Sequence, residues 1–318
     1  MTPDGDRVAV DSVDTGTDAS TGARETGGTA APGTPSPAPT VILLHGLEGS
    51  SQGHYARSVM AAVAARGWQG RVIHWRGCGG LGNLAPRAYH SGDSTELDWM
   101  LERAVAEAGG PVCVVGISLG GNVLVKWLGE QGEAAAGRVR AAVAVSVPWS
   151  LAAGAQTLAR GFGRIYTRHF LATMRPKALA LLDRHPGCLD RTRLLAADTL
   201  EAFDDCFTAP LHGYGSARAY YAQASAGRFV GSVRIPTLLV SARNDPFLPA
   251  GHLPDPARLP DPVRALYTDQ GGHAGFCEGM LPGRLDWLPA VLLHFIAPHF
   301  DAPRVTAHEP ARRDLQGL

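Results

Sequence analysis

The sequence predicts an α/β protein: a mostly parallel sheet flanked by helices and interrupted by an inserted helical cap. Two observations carry this. From Thr40 to Pro148, short apolar runs alternate with helical stretches, which is how strands joined by crossover helices are written in sequence. The alternation then stops across 149–230 and resumes at Pro236. A chain of 318 residues, 45% hydrophobic and 18% charged, can bury a full core without metal or disulfide staples.

Residues 1–39 hold no Leu, Ile, Phe, Tyr or Trp and are rich in Gly, Pro, Ser and Thr, so the segment reads as mostly flexible. Its exception is a short strand near 6–11, where Val8 and Val10 alternate after Asp4-Gly5; it is expected to be the second strand of a hairpin whose first is missing or very short. The core is expected at 40–148 and 231–300. Val41–Leu44 reads as a strand, and 55–66 as a helix with Val59, Met60 and Val63 on one face, closed by Gly67. Strand 71–75 leads into a glycine-rich loop through Gly82 and a helix over 94–108. Strand 111–117, helix 119–131 and strand 141–147 follow. The insertion is expected over 149–230, and its stretch 150–230 holds nine of the chain's 22 aromatic residues. Strands 236–241 and 263–267 resume the core, and a helix bearing Leu285, Leu288, Leu292 and Phe295 covers the sheet before a flexible tail, 301–318. No internal repeat is visible.

Composition excludes several functions. Lys+Arg and Asp+Glu both number 29, so no global field draws the chain to nucleic acid or an anionic membrane. Five cysteines in no C-x-x-C spacing indicate neither a disulfide framework nor a zinc site, and a reducing compartment is expected. The acidic N-terminus lacks the pattern of a signal peptide and no run is long and apolar enough to span a membrane, so the expectation is a soluble, cytoplasmic protein.

Gly116-Ile117-Ser118-Leu119-Gly120 fits G-x-S-x-G and lies between an apolar strand and a helix. A serine on such a turn is held in a strained conformation that only small neighbours permit, with its hydroxyl above a helix N-terminus. The alternative, a serine that merely caps the helix, is disfavoured by this context. An activated serine needs a base and an acid on loops after later strands. Asp245 and His273 stand there, in the chain order Ser, Asp, His of an α/β-hydrolase. Asp269, Asp255, His252 and His294 compete; Asp269 lies too close to His273 along the loop, and His294 falls within the last helix. The N–H groups of Leu47 and Leu119 are assigned to an oxyanion hole. His45 is expected to shape its loop rather than move protons. Gly46, Cys78 and Phe276 are expected to contact substrate. No nucleotide-binding loop is present, and no cofactor or metal is expected.

Together these segments resemble the YheT-like family of α/β-hydrolases: His-Gly-Leu-Glu-Gly-Ser-Ser at 45–51, Arg-Gly-Cys at 76–78, Tyr-His-Ser-Gly at 89–92, Gly-Ile-Ser-Leu-Gly-Gly-Asn at 116–122, Phe-Asp-Asp at 203–205, Tyr220-Tyr221 with Ser225, Asn-Asp-Pro at 244–246, and Gly-Gly-His-Ala-Gly-Phe at 271–276. The resemblance covers roughly 41–300 and implies hydrolysis of carboxylic esters, with relatives acting on acylglycerols or passing medium-chain acyl groups to alcohols. Family members carry further residues before the first hairpin, which implies here an incomplete outer sheet edge or a start farther upstream. Asn244 stands where a second Asp is common.

The leading expectation is a serine esterase for short- to medium-chain esters or acylglycerols, with a small-molecule ester as its partner. Acyl transfer to an alcohol is the alternative, and a silent binding protein on the same fold a third. Acyl chain length, alcohol and oligomeric state are not encoded in any motif.

Overall fold

The computed structural model describes residues 1–13, 37–279 and 283–301. Each core strand has the alternation expected where helices cover both faces. Val41 and Leu43 pack to one side, against Val59, Val63, Leu292 and Ile296; Ile42 and Leu44 pack to the other, against Leu97, Leu101 and Leu124.

The strands are β1 (Val10–Val13), β2 (Thr40–Leu44), β3 (Gln69–Ile73), β4 (Val112–Ile117), β5 (Ala141–Val145), β6 (Thr237–Ala242) and β7 (Val263–Thr268). They form one sheet in the order β1-β3-β2-β4-β5-β6-β7, parallel throughout except that β1 runs antiparallel to β3. Helices α1 (His54–Ala64), α2 (Ser94–Ala108) and α3 (Leu119–Gln131) connect the first half. Between β5 and β6 come α4 (Leu151–Leu158), α5 (Gly163–Arg184), α6 (Arg191–Ala196), α7 (Leu200–Phe203), α8 (Ala209–Leu211) and α9 (Ala217–Ala224), with a π-helical turn, Asp204–Thr208, joining α7 to α8. Helix α10 (Trp287–Asp301) closes the chain beside α1.

Several boundaries differ from expectation. The N-terminal strand pairs with β3, Val10 opposite Ile73, so its partner is the sheet itself rather than a missing hairpin strand. Strand β3 ends two residues early, because Trp75 leaves the ladder to give its backbone N–H to His45 Nε2 (3.2 Å). Strand β5 stops at Val145 because Ser146 takes φ +50°, outside the extended region. Residues 14–36 of the expected flexible segment and 302–318 of the expected tail lie outside the described residues.

Residues 2–6 are anchored. The buried guanidinium of Arg76 meets Asp4 (3.1 Å), Asp6 (3.0 Å) and Glu96 (2.9 Å), which stitches the N-terminal turn to the loop after β3 and to α2. A buried cation needs such partners, since an unpaired charge away from water is strongly unfavourable.

The chain places β3 on one side of β2 and β4 on the other, so the sheet reverses its winding between β2 and β4. In open α/β sheets, the crevice beyond the strand C-termini at such a reversal is where ligands bind.

Candidate active site

Ser118 follows β4 at that reversal with φ +54° and ψ −117°, a conformation costly for a side chain with a Cβ. The neighbouring glycines have a steric reason. A Cβ on Gly116 would lie 2.6 Å from the Gly120 carbonyl oxygen, and one on Gly120 would lie 2.3 Å from that of Leu44. The elbow therefore folds only when both positions lack a side chain.

The loops after β6 and β7 deliver Asp245 and His273. Ser118 Oγ is 2.8 Å from His273 Nε2, and His273 Nδ1 is 2.8 Å from Asp245 Oδ2. Asn244 sews the two loops together: its side chain accepts from Gly272 N–H (3.0 Å) and donates to Gln270 (2.7 Å). Asp269 is exposed and faces Arg243 at 3.6 Å, away from the histidine.

The loop after β2 uses its amides selectively. Gly46 N–H donates to the Tyr55 hydroxyl (3.0 Å), Glu48 N–H to the Tyr89 hydroxyl (2.9 Å), and Gly49 N–H to the Gly46 carbonyl (3.0 Å). Leu47 N–H has no protein acceptor among the described residues, and Leu47 lines the same cavity as Ser118. Leu119 also lines it, and as the first residue of α3 its N–H lacks an intrahelical acceptor. His45 is buried, with Nδ1–H donating to the Gly46 carbonyl (2.7 Å) and Nε2 accepting from Trp75; burial pushes its pKa down to about 4, so the ring is neutral and structural.

Three residues expected to touch substrate are not among those lining the cavity. Gly46 backs the serine: a Cβ there would meet Ser118 Cβ at 3.2 Å. Cys78 is buried beneath the cavity wall, 3.7 Å from the Lys177 ammonium, and burial pushes its thiol up to about 11. Phe276 is 3% exposed and stacks on Trp287 at 5.1 Å, so its ring braces the histidine loop from the core side.

The cavity above Ser118 spans about 1120 Å³ including its open mouth. Its roof comes from the 149–230 segment, with Phe170, Met174, Leu181, Phe203 and Phe207, and Phe247 closes the side, its ring 4.4 Å from that of His273. Composition marked this aromatic content; which rings face the cavity depends on packing between helices. Two residues that stand in the quoted motifs but were given no role there hold the walls in place. Asn122 donates to the carbonyls of Ser91 (2.7 Å) and Ala224 (2.8 Å) and accepts from Ala226 N–H (2.8 Å), tying α3 to the loop before α2 and to the end of α9. Glu48, at φ +56°, binds the Tyr89 hydroxyl (2.8 Å) and Lys177 Nζ (2.8 Å), so a cation on α5 grips the loop that carries Leu47. Among the described residues, no cluster of His, Cys, Asp and Glu is arranged to hold a metal ion, and no helix is long and apolar enough to cross a membrane.

Comparison with known proteins places the chain in a family and a fold. The alpha/beta hydrolase fold family matches residues 39–279. The chain is 37% identical to the Escherichia coli (strain K12) protein named "Putative esterase YheT" over 267 residues, 83% of this chain and 78% of that one. It is 30% identical to the mouse phospholipase ABHD3, covering 81% of this chain and 63% of that protein. Among solved structures, the Pyrococcus furiosus esterase Pf2001 superposes with a TM-score of 0.57 at 16% identity, covering 94% of this chain and 90% of that one. At that identity the superposition speaks for the fold.

Proposed function

The chain belongs to the YheT-like branch of the α/β-hydrolase family, and from that premise we propose that it is a serine hydrolase cleaving carboxylic esters of short- to medium-chain acids or acylglycerols. The observation that carries this reading is the relay of two 2.8 Å contacts, Ser118 to His273 to Asp245, at the floor of an apolar cavity. Esterase, phospholipase and monoacylglycerol lipase names among relatives support the same reaction class.

In this reading His273 Nε2 takes the Ser118 proton as Oγ attacks the acyl carbonyl. Asp245 accepts from Nδ1–H, which fixes the tautomer and stabilises the imidazolium. The carbonyl oxygen becomes an oxyanion facing the free N–H groups of Leu47 and Leu119. As the tetrahedral adduct collapses, the alkoxide leaves with the histidine's proton. Water then repeats the sequence on the acyl-enzyme: His273 takes its proton, the carboxylic acid departs and Ser118 is reprotonated.

Ser118→Ala tests the reading. The variant is expected to stay folded while losing fluorophosphonate labelling and at least about a thousandfold of its ester turnover. Full labelling of that variant would overturn the assignment, and product analysis in the presence of an added alcohol separates hydrolysis from acyl transfer.

A further inference from the structure

The turn between α4 and α5 presents large apolar side chains to water where the fold gives no reason for it. Phe162 is 69% exposed and Ile165 is 55% exposed, and the two lie three residues apart, side by side at the start of α5. Single exposed apolar residues are ordinary on protein surfaces; an adjacent pair on one exposed turn is not.

Two further features surround the pair. Arg160, Arg164 and Arg168 are all exposed and recur at intervals of four, and the stretch 151–182 contains five basic residues and no Asp or Glu. Among the described residues only Arg164 of these three has an ionic partner, Asp198 at 3.9 Å, with both side chains exposed and therefore screened. The patch is also continuous with the reaction centre. Ring centroids run from Phe162 to Tyr166 (5.8 Å), from Tyr166 to Phe247 (4.5 Å) and from Phe247 to His273 (4.4 Å). Phe170 joins this row 6.1 Å from Phe247, and both line the cavity.

We propose that the patch formed by Phe162, Ile165 and the three arginines docks the protein on an anionic lipid surface, from which an ester enters the cavity along the aromatic row. The apolar pair inserts at the boundary of headgroups and acyl chains while the guanidinium groups remain at the level of the lipid phosphates. The charge complement selects this occupant: a neutral protein partner would not call for three clustered arginines, and the chain's overall net charge of +0 makes the local excess a property of this face. What is taken from the surface rests on the ester-hydrolase reading above; the docking itself does not.

The test is co-sedimentation of the full chain with vesicles of phosphatidylcholine containing about 30% phosphatidylglycerol, against vesicles of phosphatidylcholine alone. The wild type is expected to bind the anionic vesicles and to be released by about 0.5 M NaCl. A triple variant, Arg160→Gln, Arg164→Gln and Arg168→Gln, is expected to bind about a hundredfold more weakly. Phe162→Ser with Ile165→Ser is expected to lose about tenfold or more. Both variants should keep the wild-type melting temperature and hydrolyse a soluble aryl acetate within about twofold of wild type, while losing hydrolysis of an ester embedded in the anionic vesicles. Wild-type protein that fails to bind, variants that bind like wild type, or a solution dimer that Phe162→Ser dissolves would each overturn the proposal. Vesicle binding without any hydrolysis of the aryl ester would instead sink the hydrolase reading and leave the docking standing.

Discussion

In the proposed mechanism, Glu48 holds the loop of Leu47 in place without touching the substrate's reacting atoms. Its left-handed backbone is tolerated because both its N–H and its carboxylate are engaged, by the Tyr89 hydroxyl on one side and Lys177 on the other. Removing the carboxylate's charge frees the peptide that carries Leu47 N–H. Glu48→Gln is expected to lower kcat about ten- to a hundredfold with little change in KM, because an oxyanion donor acts mainly in the transition state. Lys177→Met is expected to do the same more weakly, up to about tenfold, since a half-exposed cation contributes less. Steady-state kinetics on one soluble ester decide the matter: a KM increase at constant kcat would mean that Glu48 serves binding alone. The pair joins residues 129 positions apart and so left no local trace in the sequence, whereas Ser118 announced itself through its glycines. The burial of Phe276 left no local trace for a related reason. An aromatic beside the histidine is equally compatible with the cavity and the core, and only the position of Trp287 decides between them.

At the scale of elements, the π-helical turn Asp204–Thr208 places a carboxyl in the cavity wall. Burial pushes the Asp204 pKa up to about 6; the Tyr221 hydroxyl, which donates to it at 2.7 Å, pulls it only partly back. The folded state therefore holds this proton more tightly than the unfolded chain does. Stability associated with the group is full below about pH 4 and is lost as pH rises through about 6. Asp204→Asn keeps an acceptor for Tyr221 and removes the titration. Relative to wild type it is expected to gain about 1 to 3 kcal/mol at pH 7 and almost nothing at pH 4, read by urea unfolding at both values. A constant difference across that range would show that the carboxyl titrates normally. The elements themselves were largely legible, since core strands flanked on both faces are written as continuous apolar runs. Their ends were less so: β3 stops where Trp75 turns to His45, a hydrogen bond between residues 30 positions apart that no periodicity encodes. The pairing of β1 with β3 was missed because a four-residue, mostly exposed strand carries almost no hydrophobic signal.

Over the whole molecule, the groups of the proposed relay hang from two parts of the sheet with different support. Ser118 and the Leu47 loop follow β4 and β2, strands paired on both sides, while His273 follows β7, which lies at the sheet's rim. Rim strands open at lower free energy than central ones. In native-state amide exchange, β7 is therefore expected to lose protection before β2 and β4. Fluorophosphonate reactivity, which needs the histidine beside the serine, should fade at urea concentrations where the fluorescence of the buried Trp127 is still native. Simultaneous loss of labelling, β7 protection and Trp127 signal would show that the sheet opens as one unit. If the order holds, inactivation under mild stress is a reversible fraying of one margin: the nucleophile waits intact in the sheet's interior, and recovery requires only that a single strand re-anneal.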